Sequence, residues 1–167
     1  MATSSLNQTN HYTIKEFQLL VKDAPVVPAE IQPFVGVSFR CSADIYRLFK
    51  GLAEMTVETF LVVHLDGKNR MVGMTTCSIG SMTASLVHPR DIFRPAIANM
   101  TAGLIFIHNH PSGDPAPSDE DLQITKRLCE VGKLIGIRCL DHIVIGASSY
   151  FSFADEGLIE PRGGNLE

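Results

Sequence analysis

The chain contains no C-x-x-C pair, no excess of positive charge, no internal repeat, and no stretch approaching the roughly 18 apolar residues of a membrane span. Each absence removes a class. Four cysteines, Cys41, Cys77, Cys129 and Cys139, are scattered singly through 167 residues. That is too sparse for a disulfide-stapled secreted domain, so they read as reduced core or strand residues. The start, "MATSSLNQTNHYTIKEF", lacks a positive end followed by an apolar block, which makes a cytoplasmic protein the expectation. A net charge of −4 and a pI near 5.8 supply no overall attraction to nucleic acid, leaving only a local basic patch for that role.

What is present is enough apolar residue for a core: 45% hydrophobic and 19% charged residues describe a globular chain, and its length suits one domain. Residues 1–10 are polar and expected to be disordered. Residues 11–55 read as an N-terminal arm and helix packed on the domain: "HYTIKEFQLLV" alternates like a strand, and "SADIYRLFKGLAE" spaces Ile45, Leu48 and Phe49 as an amphipathic helix with Ser42 as its N-cap. Residues 56–158 hold the main domain, and 159–167 read as a flexible tail whose final Leu-Glu resembles a vector remnant.

Within the main domain, "DGKN" separates two apolar strands as a hairpin turn. "SLVHPRDIFRPAIAN" predicts a turn and a helix, with Pro95 near the first turn or at a kink. "AGLIFIH" is a continuous apolar run, the pattern of a buried strand. "SDEDLQITKRLCEVGKLIG" predicts a helix that begins at Ser118, spaces Leu122, Leu128 and Val131 helically, and ends near a glycine. "RCLDHIVIG" and "SYFSFA" read as closing strands. The fold class is α/β: a single domain with a mixed curved sheet flanked by helices.

The stretch "IFIHNHPSGDPAPSDEDLQIT" carries the chemistry. Side chains at i and i+2 of a strand share a face, so His108 and His110 aim two imidazoles at one point beyond the sheet. Pro111 ends the strand, and Asp121, in the first turn of the next helix, reaches back as a third ligand. Two imidazoles, one carboxylate and a position left to water are the donor set of a catalytic zinc; a structural site would want four protein ligands. Zinc would lower the pKa of its water to about 7. Ser118, three residues before Asp121, would donate to an oxygen that becomes negative during attack.

The competing reading is a helix cap, since S-x-x-D ahead of an apolar helix is also a capping pattern. With 6 His and 9 Pro in the chain, however, H-x-H-P arises by chance roughly 0.01 times per shuffle, which favours the metal. Asp114, Asp119 and Glu120 are rival third ligands. Helical geometry turns Asp119 and Glu120 away from Ser118's face but does not exclude Asp114 in the loop.

H-x-H-P, six residues, then S-x-x-D resembles the JAMM motif of the JAB/MPN metalloproteases, and "HNHPSGDPAPSDEDLQIT" is most similar to the RadC-like branch. The likeness extends through "ETFLVVHLDGKNRMVG", "SIGSMTASLVHPRDIF", "GKLIGIRCLDHIVIG" and "YFSFADEGLI", about residues 57–158. It implies a JAB/MPN-like fold, with a Zn2+ ion held by His108, His110 and Asp121. It further implies Glu58, in the E-x-F pattern ahead of "VVHLD", as the general base, and Ser118 as the oxyanion donor. Eukaryotic JAMM isopeptidases usually place seven residues between the Pro and the Ser, so deubiquitinase activity is not carried over. Longer RadC proteins carry a helix-hairpin-helix segment, and residues 1–55 show no such pattern.

Arg90 and His142 fall in RadC-like positions, with pocket-lining and structural roles both open. His11, His64 and His88 read as structural, and Asp141 as an acceptor that would orient a metal-bound imidazole. The expected function is a zinc-dependent metallopeptidase acting on a peptide or protein. The alternatives are a DNA-repair-associated protein or metal-dependent nuclease, which a single metal site and acidic charge disfavour, and a non-catalytic binding module. The H-x-E…P-C-x-x-C pattern of zinc deaminases is absent. An edge strand would leave room for a homodimer.

Overall fold

The computed structural model describes residues 32–80 and 87–159. In chain order these form α1 (Ser42–Phe49), a 3-10 turn (Lys50–Glu54), β1 (Thr59–Leu65), β2 (Met71–Ile79), α2 (Pro89–Ala98), β3 (Gly103–Asn109), α3 (Asp119–Ile135), β4 (Arg138–Ile145) and β5 (Tyr150–Ser152). The sheet runs β2-β1-β3-β4-β5. β3 and β4 are parallel, joined through α3, and the other neighbours are antiparallel.

Every residue of β1 and β3 is buried, because both faces of the sheet are covered. Phe60, Val62, Leu104 and Phe106 pack with Ile92, Phe93 and Ala96 of α2 and Ile124 and Leu128 of α3. The alternate residues Leu61, Val63, Ile105 and Ile107 pack with Ile45 of α1 and with Ile143 and Ile145 of β4. The period of two in these strands thus divides the core into two layers. The two central strands are thereby clamped, and their ends are where the polar residues gather.

The turn between β1 and β2 forms as "DGKN" predicts. Asp66 Oδ1 accepts from the backbone N–H of Lys68 and Arg70, and Asn69 takes the left-handed conformation (φ 57°). α3 opens at Ser118 and closes on Gly136 (φ 74°). Its return to β4 is so tight that a Cβ on Gly132 would stand 2.5 Å from the carbonyl oxygen of Ile137.

Other expectations need correction. Ser42 is not the N-cap of α1: Cys41 holds that position, and the Ser42 hydroxyl bonds Asp155 and Tyr150 instead, tying α1 to the end of the sheet. Leu122 is exposed, because the buried face of α3 is Asp121, Ile124, Thr125, Leu128 and Gly132, with the site residue Asp121 taking the core-facing place in the first turn. Pro95 lies inside α2, while Pro89 holds the first helical position. The strand expected in 11–21 lies outside the described residues. No helix among the described residues is long and apolar enough to cross a membrane.

His64 is buried on β1 with Nδ1 against Thr101 Oγ1 (3.2 Å) and Nε2 against Thr75 Oγ1 (2.8 Å). Burial lowers its pKa to about 4. The unfolded chain therefore takes up a proton below pH 6.5 that the folded chain refuses until about pH 4, so this residue's contribution falls as the solution is acidified. Urea unfolding at pH 7 and pH 4.5 should show the protein losing about 2 kcal/mol more than its His64→Leu variant. Equal losses would contradict this.

Candidate metal centre

β3 delivers His108 on the α3 side of the sheet. One residue past the strand, the backbone N–H of His110 still bonds the carbonyl of Ile145 (2.9 Å), which keeps the second imidazole beside the first. α3 begins next to them, and its first turn turns Asp121 inward to 1% exposure. Glu58 enters from the residue before β1, opposite the end of β3. One ligating atom each from Glu58, His108, His110 and Asp121 lies within 4.8 Å of all the others.

The shape of the cluster comes from its contacts. His108 Nε2 stands 3.3 Å from Asp121 Oδ1, and His110 Nε2 stands 3.3 Å from Asp121 Oδ2. The two Nε2 atoms are 3.1 Å apart, and Glu58 Oε1 is 4.0 Å from His108 Nε2. His110 Nδ1 donates to the carbonyl oxygen of Asp114 (2.8 Å), which leaves its Nε2 facing the cluster. Two imidazole nitrogens and two carboxylates converging on one point form a donor set that suits a divalent cation. The pKa shifts agree. Although burial opposes it, the adjoining imidazoles of His108 and His110 hold Asp121 well below the carboxylate range, and the contact with Asp121 raises His110. The site selects negative charge from Asp121 and positive charge in front of it.

Ser118 both caps α3 and touches the cluster. Its Oγ accepts from the Asp121 N–H (3.1 Å) and donates to Asp121 Oδ2 (2.7 Å), while Oδ2 also accepts from the Ser118 N–H (2.8 Å). The capping-box carboxylate is the same one that Asp121 brings to the cluster. Among the rival ligands, Asp119 and Glu120 are exposed, and Asp114 spends its side chain on the Ala116 N–H (2.9 Å) while its carbonyl orients His110.

The other expectations divide. Arg90 lies exposed on α2 with its guanidinium against His88, whose ring caps that helix. Among the described residues Asp141 reaches no imidazole: it faces the opposite side of the sheet, accepting from Ser152 Oγ and from the N–H groups of His142 and Ala154, and burial raises its pKa to about 6. His142 is fully buried against His108, with Nε2 2.8 Å from His108 Nδ1, and burial keeps it uncharged.

Two contributors carry no motif letter. Asn109, between the histidines, points to the other face, where its carboxamide accepts from the Thr59 N–H (2.9 Å) and donates to the Val57 carbonyl (3.2 Å). It grips the backbone on both sides of Glu58. Thr125 lies one helical turn after Asp121 and bonds both the Asp121 carbonyl and His142 Nδ1. The signals in the sequence are their positions, Asn109 at i+1 from His108 and Thr125 at i+4 from Asp121.

A carboxylate-imidazole cluster at the end of a sheet, completed by the first turn of a helix, fits a metal-dependent hydrolase. The chain belongs to the RadC-like JAB domain family, whose model matches residues 39–158. That match begins ahead of residue 57, taking in α1 and the 3-10 turn. The relatives are named only as UPF0758 proteins: one from Trichlorobacter lovleyi is 50% identical, covering 72% of this chain and 53% of that protein. One from Syntrophotalea carbinolica is 40% identical, covering 93% of this chain and 74% of the relative, and one from Methanosarcina mazei is 47% identical over 70% and 52%. The chain thus spans about half the length of two of these three relatives.

Proposed function

We propose that this domain is a zinc-dependent metallopeptidase that cleaves an amide bond in a peptide or protein. The observation that carries the reading is the convergence of His108, His110 and Asp121 on one point with the Glu58 carboxylate beside it. Zinc is favoured over harder cations by the two imidazoles, and over a closed structural role by the lack of thiolates in the cluster.

His108, His110 and Asp121 would hold the ion, and when bound it would supply Lewis acidity and a water acidified to a pKa of about 7. Glu58 takes the proton from the attacking water on its carboxylate and delivers it to the departing amine, so one residue serves as base and then as acid. The Asn109 carboxamide keeps that carboxylate over the site by fixing the backbone at Val57 and Thr59. Ser118, an exposed residue beside Asp121, turns its Oγ proton from Asp121 to the carbonyl oxygen that gains charge as the amide carbon becomes tetrahedral. Water, amide, acid and amine balance without any other reactant.

The test is a peptide library incubated with protein loaded with one equivalent of zinc, with cleavage read by mass spectrometry. Cleavage that stops with a chelator and returns with zinc supports the reading. If no peptide is cut and a metal-dependent cut appears in DNA or RNA instead, the peptidase assignment is wrong.

The loop that aims His110 supplies a second check. Gly146 packs so closely beneath it that a Cβ would stand 2.6 Å from the Gly113 carbonyl oxygen and 2.8 Å from Pro115 Cδ. Gly146→Ala should push the loop outward, loosen the Asp114 bond to His110 Nδ1 and weaken zinc binding about tenfold. Unchanged affinity in a chelator competition would contradict it.

A further inference from the structure

We propose that Thr125 and His142 form a hydrogen-bonded relay that locks His108 in its Nδ1–H tautomer and so turns the Nε2 lone pair toward the metal. The inference rests on the reading of His108 as a ligand, and it assigns positioning roles to two residues outside the ligand set.

The direction of the relay follows from counting protons. The Asp121 carbonyl oxygen has none to give, so its contact with Thr125 Oγ1 uses the single hydroxyl proton of Thr125. Thr125 Oγ1 can then only accept from His142, which places a proton on His142 Nδ1. His142 is fully buried with its ring packed among Phe60, Phe106 and Phe153, a setting that favours the ring with a single proton, so its Nε2 accepts, and the proton in the 2.8 Å contact belongs to His108 Nδ1. His108 Nε2 is left bare, 3.3 Å from Asp121 Oδ1, on the side where the ligands meet.

The surroundings hold the relay rigid. His108, Thr125 and His142 are all buried. His142 stacks on Phe153 (4.8 Å between centroids) and meets Phe60 and Phe106 edge to face, so its ring has no room to flip. The relay starts at a ligand on the sheet and ends on the backbone of a ligand on the helix. It therefore fixes the distance between β3 and the first turn of α3 as well as the tautomer. Metal-ligating histidines in general gain orientation and basicity from such an outer partner, and losing it costs about 10–100-fold in metal affinity.

Three variants and one spectrum test this. Thr125→Val keeps the shape and removes the hydroxyl, Thr125→Ser keeps the hydroxyl, and His142→Phe keeps an aromatic ring while removing both hydrogen bonds. In a chelator competition Thr125→Val and His142→Phe should lose about 10–100-fold in zinc affinity, while Thr125→Ser stays within about threefold of the unaltered protein. Circular dichroism of the metal-free variants verifies the fold, and if His142→Phe does not fold, the Thr125 pair decides. Long-range proton–nitrogen NMR of the metal-free protein at pH 8 should show His108 and His142 both protonated at Nδ1. Thr125→Val binding zinc within threefold of the unaltered protein, or His108 carrying its proton on Nε2, would overturn the relay. Should the unaltered protein bind no zinc, the proposed function fails, while the NMR tautomers still decide the relay on their own.

Discussion

Glu58→Gln should bind zinc as tightly as the unaltered protein and lose turnover by about 10²–10⁴-fold, the usual worth of a positioned general base. The amide matches the carboxylate in size and occupies the same place ahead of β1, where Asn109 holds the flanking backbone and the Glu58 carbonyl accepts from the Gly80 N–H (2.8 Å). It cannot take up a proton. Because Glu58 Oε1 stands 4.0 Å from His108 Nε2, farther than either Asp121 oxygen from its histidine, the substitution should spare the His108–His110–Asp121 set. The loss should appear in kcat with KM little changed, since the proton moves only after the substrate is seated. Turnover within threefold of the unaltered protein would remove Glu58 from the role.

His110→Ala and Asp121→Ala should both abolish stoichiometric zinc binding, weakening it by more than the roughly 100-fold that an outer partner is worth. They should differ in what they do to the metal-free fold. His110 lies at the rim with its side chain 15% exposed, and among the described residues its ring bonds only the loop carbonyl of Asp114 outside the cluster. Asp121 is also the capping-box carboxylate of α3, accepting from both the N–H and the hydroxyl of Ser118. Its removal should cost the metal-free protein at least about 1 kcal/mol, the typical loss of a helix cap. A thermal melt without zinc separates the two. Equal stability in both variants would show that the cap contributes nothing here, and stoichiometric zinc in either would remove that residue from the ligand set.

The sequence made the cluster legible because the motif obeys two local periodicities at once. The strand period aims His108 and His110 together, and the helical turn returns Asp121 to the face of its cap, Ser118. The same locality explains Gly136, the "DGKN" turn and the buried run at 103–109, each of which is decided within a few residues. Ser42 departs from the N-cap expectation because its hydroxyl has two options, a local cap or the distant Asp155 and Tyr150, and only the tertiary fold brings the second within reach. Leu122 is exposed for a related reason: the inward face of α3 carries Asp121, so an aspartate takes the core-facing place that the apolar spacing gives to a leucine. Asp141 and His142 are neighbours on β4 and face opposite sides, which made the histidine, not the aspartate, the partner of His108. Glu58 is reached only through family resemblance, since the approach of β1 to the end of β3 is a long-range pairing, Phe60 opposite His108, which no local pattern around the nearby Glu54 or Glu58 reveals. Glu54 lies exposed in the 3-10 turn.

The most direct test is diffraction at the zinc absorption edge from crystals of the full chain grown with one equivalent of zinc. The account predicts a single anomalous peak about 2.0–2.2 Å from His108 Nε2, His110 Nε2 and an Asp121 carboxylate oxygen, with a water completing the tetrahedron beside Glu58. A peak elsewhere, or none at this cluster with the fold intact, would contradict the metal centre and return Ser118 and Asp121 to the role of a helix cap alone.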